Sequence, residues 1–117
     1  MTTAPPIAEE PIVTTTRPAP KAGSEPKQQP PYAVIVENDD LHTFEYVIEG
    51  LQKVCGHSRQ KAFLLAAEID AQGRAIVWSG TKELAELKRD QIRGLGPDYF
   101  APQPVTFPLG AYIEPLP

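Results

Sequence analysis

Among residues able to do chemistry, the densest group is Asn38-Asp39-Asp40, followed at once by His42, with a further carboxylate at Asp70. Asp39, Asp40, Asp70 and His42 are residue types that do acid–base work or hold a divalent cation through oxygen. No glycine-rich phosphate loop and no activated nucleophile accompanies them, so an enzyme is the weakest of the readings. On its own terms Asn-Asp-Asp is a turn, because these side chains bond nearby backbone and cap helices. The chain has one cysteine, Cys55, and two histidines, His42 and His57. That excludes an internal disulfide framework and any zinc site built on Cys pairs, and leaves little for a His-based metal centre. No cofactor or metal is expected.

The elements that must position these residues follow from periodicity. Tyr32-Ala-Val-Ile-Val-Glu37 is a short β-branched run and predicts a strand that stops at Asn38-Asp39-Asp40. Phe44, Val47, Ile48, Leu51 and Val54 recur at spacings of three and four, one face of a helix capped by Thr43 and ended by Gly56. Ser58 caps a second helix with the stripe Ala62, Leu65, Ala66 and Ile69, stopped near Gly73. Ala75–Trp78 predicts a second strand. Thr81 caps a third helix carrying Leu84, Ala85, Leu87 and Ile92, which ends at Gly94, Gly96 and Pro97. Residues 97–108 read as a Pro-containing loop and Ala111–Glu114 as a last strand. The order β-α-α-β-α-β predicts an α+β domain, with helices on one face of a small sheet.

Composition divides the chain. Eight of its 14 prolines precede Tyr32, and all nine aromatic residues lie from Tyr32 onward. Prolines this dense sustain neither a helix nor a central strand, and too little apolar surface is present to offset chain entropy. Residues 1–31 are therefore expected to be a disordered, Pro-rich N-terminal extension, and residues 32–117 one folded domain. A net charge of −4 argues against a general nucleic-acid binder. No apolar run approaches the roughly 18 residues of a membrane span, and no secretory signal opens the chain. A lone thiol suits a reducing compartment, so a cytoplasmic monomer is the default.

Several stretches together resemble one family. Tyr32-Ala-Val-Ile-Val-Glu-Asn-Asp-Asp40 is similar to the first strand and turn of ClpS, the Clp-protease adaptor. Phe44-Glu-Tyr-Val-Ile48 and Leu51-Gln-Lys53 resemble its first helix, Gln72-Gly-Arg-Ala-Ile76 the turn into its second strand, and Thr81–Lys88 the start of its third helix. Pro108-Leu109 followed by Glu114 is similar to its C-terminal motif. The resemblance spans residues 32–114. It implies a three-stranded antiparallel sheet covered by three helices. It also implies a non-enzymatic function. Such an adaptor binds proteins with a bulky apolar N-terminal residue, an N-degron, and delivers them to the ClpA or ClpC AAA+ unfoldase for degradation by ClpP.

By that resemblance Asn38 and Asp39 hold the substrate's α-ammonium, Asp40 supports the turn, and Asp70 stands where the family has a histidine that bonds the amine. An α-ammonium is mostly charged at neutral pH and has three donors to satisfy. A side-chain pocket is implied at Leu41, His42, Phe44, Ala66, Ile69 and Leu109. Phe44 and Ala66 replace the family's two methionines, Ile69 a valine, and His42 a small hydroxyl residue. Three carboxylates, Asp39, Asp40 and Asp70, are thus expected close together, which should raise one pKa unless a cation lies between them. The unfoldase's N-terminal domain is expected to meet Glu83 and Lys88, helped by the N-terminal extension. The departures at Phe44, Ala66 and Asp70 motivate an alternative, a divergent regulator that keeps the unfoldase contact but has lost or changed N-end recognition.

Overall fold

A computed structural model describes residues 29–117. The expectation of disorder for residues 1–31 therefore lies outside the described residues up to residue 28. Gln29, Pro30 and Pro31 are exposed and form no regular element.

The elements run β1 (Tyr32–Glu37), α1 (Phe44–Cys55), α2 (Arg59–Gln72), β2 (Arg74–Gly80), α3 (Lys82–Arg93) and β3 (Ala111–Pro115). This is the expected order. The sheet is antiparallel throughout, with β1 at its centre between β2 and β3. Tyr32 pairs with Gly80 on one side and Pro115 on the other, and a bulge falls between Val34 and Ile35. β2 is longer than the apolar run Ala75–Trp78, because pairing with β1 carries the ladder out to Arg74 and Gly80.

Val34 and Val36 of β1, Ala75 and Val77 of β2 and Ala111 of β3 present the apolar face of the sheet. Val47, Ile48, Leu51 and Val54 of α1, Ala62, Leu65, Ala66 and Ile69 of α2, and Ala85 and Ile92 of α3 pack onto it. The caps are the expected ones. Thr43, Ser58 and Thr81 accept from the backbone N–H three residues on. Gly56 ends α1 in the left-handed conformation, with φ of 73°.

Two expectations about helix faces need correction. Phe44, expected on the buried stripe of α1, is 40 % exposed, while Tyr46 is buried and donates to the Gly96 carbonyl at 2.5 Å. Leu84 and Leu87 of α3 are 47 % and 48 % exposed. The inward stripe of α3 is Ala85 and Ile92, with Lys88 partly buried between them. The loop 97–108 is tied across itself by paired backbone bonds between Asp98 and Val105. Among the described residues no helix is long and apolar enough to cross a membrane.

Candidate functional site

The turn after β1 is fastened at both flanks. Glu37 N–H donates to the Gly110 carbonyl at 3.0 Å, and Asn38 N–H to the Gly73 carbonyl at 2.9 Å. Gly73 is the left-handed residue that ends α2. The second bond therefore sets Asn38 against the end of the helix that carries Asp70 in its last turn. Asp40 takes a positive φ of 69°, a conformation that short polar side chains tolerate. Its carboxylate accepts from the Asn38 side-chain amide at 3.1 Å. That bond orients the amide, and among the described residues its carbonyl oxygen accepts no hydrogen bond. Asn38, Asp40 and Asp70 are all exposed.

Asp39 shapes the next residues. Its Oδ1 accepts from both Leu41 N–H and His42 N–H at 2.9 Å, and its Oδ2 meets Nδ1 of the His42 ring. Burial pushes the Asp39 carboxyl up. The backbone N–H groups of His42 and Leu41 and the His42 side chain outweigh it and hold the carboxyl below the usual range. For Asp39 this corrects the expectation that crowded carboxylates would raise a pKa. Its carboxylate is governed by local donors rather than by like charges. Among the described residues no three or more His, Cys, Asp and Glu side chains gather as a metal-holding group.

The residues expected to line a side-chain pocket split by burial. Ala66, Ile69 and Leu109 are each 3 % exposed and belong to the core cluster. The pocket wall expected at these three residues is thus nearly closed to solvent. Leu41 is 58 % exposed. Phe44 pairs with Phe63 of α2 at 6.1 Å between ring centroids. The two rings line a surface groove of about 680 Å³ with Ile48 and Leu64, beside the Arg59–Glu45 ion pair of 2.6 Å. His42 is turned inward. Its side chain is 1 % exposed, stacked on Tyr46 and edge-on to Phe107, with Nε2 3.1 Å from the Phe107 carbonyl.

Glu83 is exposed and lines a groove with Pro30, Pro31, Lys82 and Glu86 where the N-terminal segment enters the domain. Lys88 is engaged internally. Its ammonium donates to the Val54 carbonyl at 2.8 Å, in the last turn of α1, and lies 5.9 Å from the centre of the Trp78 ring. Cys55, next to Val54, has its thiol pushed up by burial, against the pull of Lys88, which suits a structural rather than a reactive thiol.

Asp98 was missed at the level of sequence. It is fully buried, and its carboxylate accepts from Thr43 N–H at 2.7 Å, from the Thr43 hydroxyl and from Phe100 N–H. It sits in Gly-Pro-Asp, which reads as an ordinary turn, and nothing local signals that the carboxylate receives the start of α1.

Comparison with known proteins gives one answer. A family model described as "ATP-dependent Clp protease adaptor protein ClpS" matches residues 27–101. The ATP-dependent Clp protease adapter protein ClpS of a Nostoc species is 39 % identical over 97 residues, which cover 82 % of this chain and 91 % of the relative. The protein of the same name from a Synechocystis species is 41 % identical over 71 residues, 60 % of this chain and 72 % of the relative. Among solved structures, Agrobacterium tumefaciens ClpS2 bound to L-phenylalaninamide is similar, with a TM-score of 0.65 and 27 % identity. That likeness covers 76 % of this chain and all of the other. The chain belongs to the ClpS family of Clp protease adaptors, which are regulators of proteolysis.

Proposed function

We propose that this protein binds the N-terminal residue of substrate proteins and delivers them to a ClpA- or ClpC-type AAA+ unfoldase for degradation by ClpP, in the cytoplasm. The observation that carries the reading is the acceptor inventory of the 38–40 turn, tied to the end of the helix that carries Asp70. An α-ammonium needs three acceptors. The Asn38 amide nitrogen donates to Asp40, and among the described residues its side-chain oxygen has no donor of its own. Asp39 Oδ2 keeps one lone pair beyond its bond to His42. The exposed Asp70 carboxylate, on the helix end bonded to Asn38, supplies the third. Each charge-assisted bond contributes on the order of 1.5–3 kcal/mol. The buried Ala66, Ile69 and Leu109 are suited to take the substrate's apolar side chain, worth about 1.5–3 kcal/mol when fully buried. Phenylalaninamide, the ligand of the Agrobacterium protein, offers these same two handles, a free ammonium and an apolar ring.

The test is fluorescence anisotropy of labelled peptides that differ only at residue one (Phe, Leu, Trp, Tyr, Ile, Ala, Arg), each with a free or acetylated amine. Binding of one or two bulky apolar types, lost on acetylation, is the expected result. No binding to any free N-terminus would favour the second reading, a regulator that contacts the unfoldase without N-end recognition. One observation supports that alternative: three of the four lone pairs of Asp39 are already used within the turn.

A further inference from the structure

Two aromatic rings stand together at the surface with no part in the core. Phe63 and Leu64 of α2 are 49 % and 64 % exposed, beside the exposed Phe44 of α1. The fold does not call for them there, since the inward stripe of α2 is Ala62, Leu65, Ala66 and Ile69. Single exposed apolar side chains are ordinary, but these are contiguous. The Phe44 and Phe63 rings are tilted by 58° to each other, and with Leu64 they line one groove over the buried Ile48. The charged residues of its lining, Glu45 and Arg59, are paired with each other. Their charges offset, which suits an apolar occupant.

α2 runs from this groove to the candidate ammonium site. Phe63 and Asp70 are two turns apart, so they share one face of the helix, about 10 Å apart along its axis. On that face between them stand Ala66, which is buried, and Ala67, which is half-buried. These small side chains leave the stretch low. Phe44 opens α1 directly after Thr43, so the segment that carries Asn38 and Asp39 leads to the groove's other ring. A peptide held by its ammonium at Asn38, Asp39 and Asp70, and running extended along α2, rises about 3.3 Å per residue. Its first and third side chains face the same way. The first then falls over Ala66 and Ala67, and the third, about 7 Å further on, over the two rings.

We propose that the Phe44–Phe63 groove is a second apolar subsite of the N-end site, taking the side chain of the substrate's third residue, with Phe63 as its specificity-determining residue. The proposal rests on the adaptor reading and adds to it a preference beyond the first residue.

The test is the affinity of full-length protein for labelled peptides that begin Phe-Ala-Phe, Phe-Phe-Ala or Phe-Ala-Ala, each with a free or acetylated amine. Wild type is compared with Phe63→Ala and Phe63→Leu. The readout is the affinity ratio between peptides within one protein, which a general loss of stability does not move. Wild type should bind Phe-Ala-Phe about tenfold more tightly than Phe-Ala-Ala, as burial of much of one ring implies, and Phe-Phe-Ala should gain less. Phe63→Ala should abolish the gain, and Phe63→Leu should keep part of it. Equal wild-type affinities, an equal gain from Phe-Phe-Ala, or a full gain in Phe63→Ala overturns the subsite and leaves the adaptor reading standing. Equal binding of free and acetylated Phe-Ala-Phe also overturns the proposal, since the groove then acts without the ammonium. Absence of wild-type binding to every free-amine peptide overturns both. If the variants do not fold, the wild-type ratios decide alone.

Discussion

The Asp98 carboxylate joins two parts of the chain that are 55 residues apart, the cap of α1 and the 97–108 loop. Alanine in its place would leave the Thr43 and Phe100 N–H groups without their partner. Leaving a buried donor unpaired costs about 1–3 kcal/mol. Asp98→Ala should therefore lower the unfolding free energy measured in urea by about 1–3 kcal/mol, seen as a lower midpoint, with an unchanged m-value if only the native state is affected. Asp39 makes a prediction of different form. Its carboxyl is lower in the folded chain than the ordinary value of about 3.9. Its stabilisation is therefore complete above that value and is lost as pH falls through the folded-state pKa. Acid unfolding of Asp39→Asn, followed by circular dichroism, should show a shallower loss of stability below about pH 4. Sequence could place Asp39 in a turn, because Asn-Asp-Asp has that propensity. It could not show that the carboxylate is shared between two backbone donors and a ring, which depends on the direction the chain takes after Asp40.

At the level of elements, the periodic signal was strongest where a helix has one wholly apolar stripe. α1 and α2 begin and end at the expected caps, and their buried residues are largely the expected ones. α3 misleads because its inward stripe contains a lysine. Lys88 buries its aliphatic stem between Ala85 and Ile92 and carries its ammonium to the Val54 carbonyl, near the negative end of α1. A hydrophobicity count rotates the helix toward Leu84 and Leu87 instead. The consequence separates the two residues expected to meet the unfoldase. Lys88→Met keeps the stem and loses the bond, so it should cost about 0.5–1.5 kcal/mol in urea unfolding. Glu83, exposed and without a role in packing, should tolerate alanine within about 0.5 kcal/mol. If Glu83 is part of the unfoldase contact, Glu83→Ala should weaken capture by ClpA or ClpC while N-end peptide affinity stays at the wild-type level.

The whole molecule raises the question of where the domain begins. Composition placed the boundary at Tyr32, because prolines crowd one side and aromatics the other. The bonding places structural contacts slightly earlier. Leu116 N–H donates to the Pro31 carbonyl at 2.8 Å, one step beyond the β1–β3 pairing, and the Lys82 ammonium lies 5.7 Å from the Tyr32 ring. Proline lacks an N–H but keeps its carbonyl, so Pro31 can end an otherwise proline-poor ladder. Two truncations separate the tail from the domain. A chain starting at Gln29 retains the Pro31 bond and should melt within a degree or two of the full chain. A chain starting at Tyr32 loses that acceptor, and about 1 kcal/mol of stability with it, which for a domain this size is a shift of about 4–8 °C. On the adaptor reading both truncated chains keep their peptide affinity, since Asn38, Asp39, Asp70 and the apolar wall all lie within the domain. Delivery should then be lost in both, if residues 1–28 engage the unfoldase. A ClpP-coupled degradation assay with a Phe-first substrate measures this. Full degradation by the chain starting at Gln29 would mean that the folded domain, with Glu83 and its neighbouring groove, is sufficient for delivery.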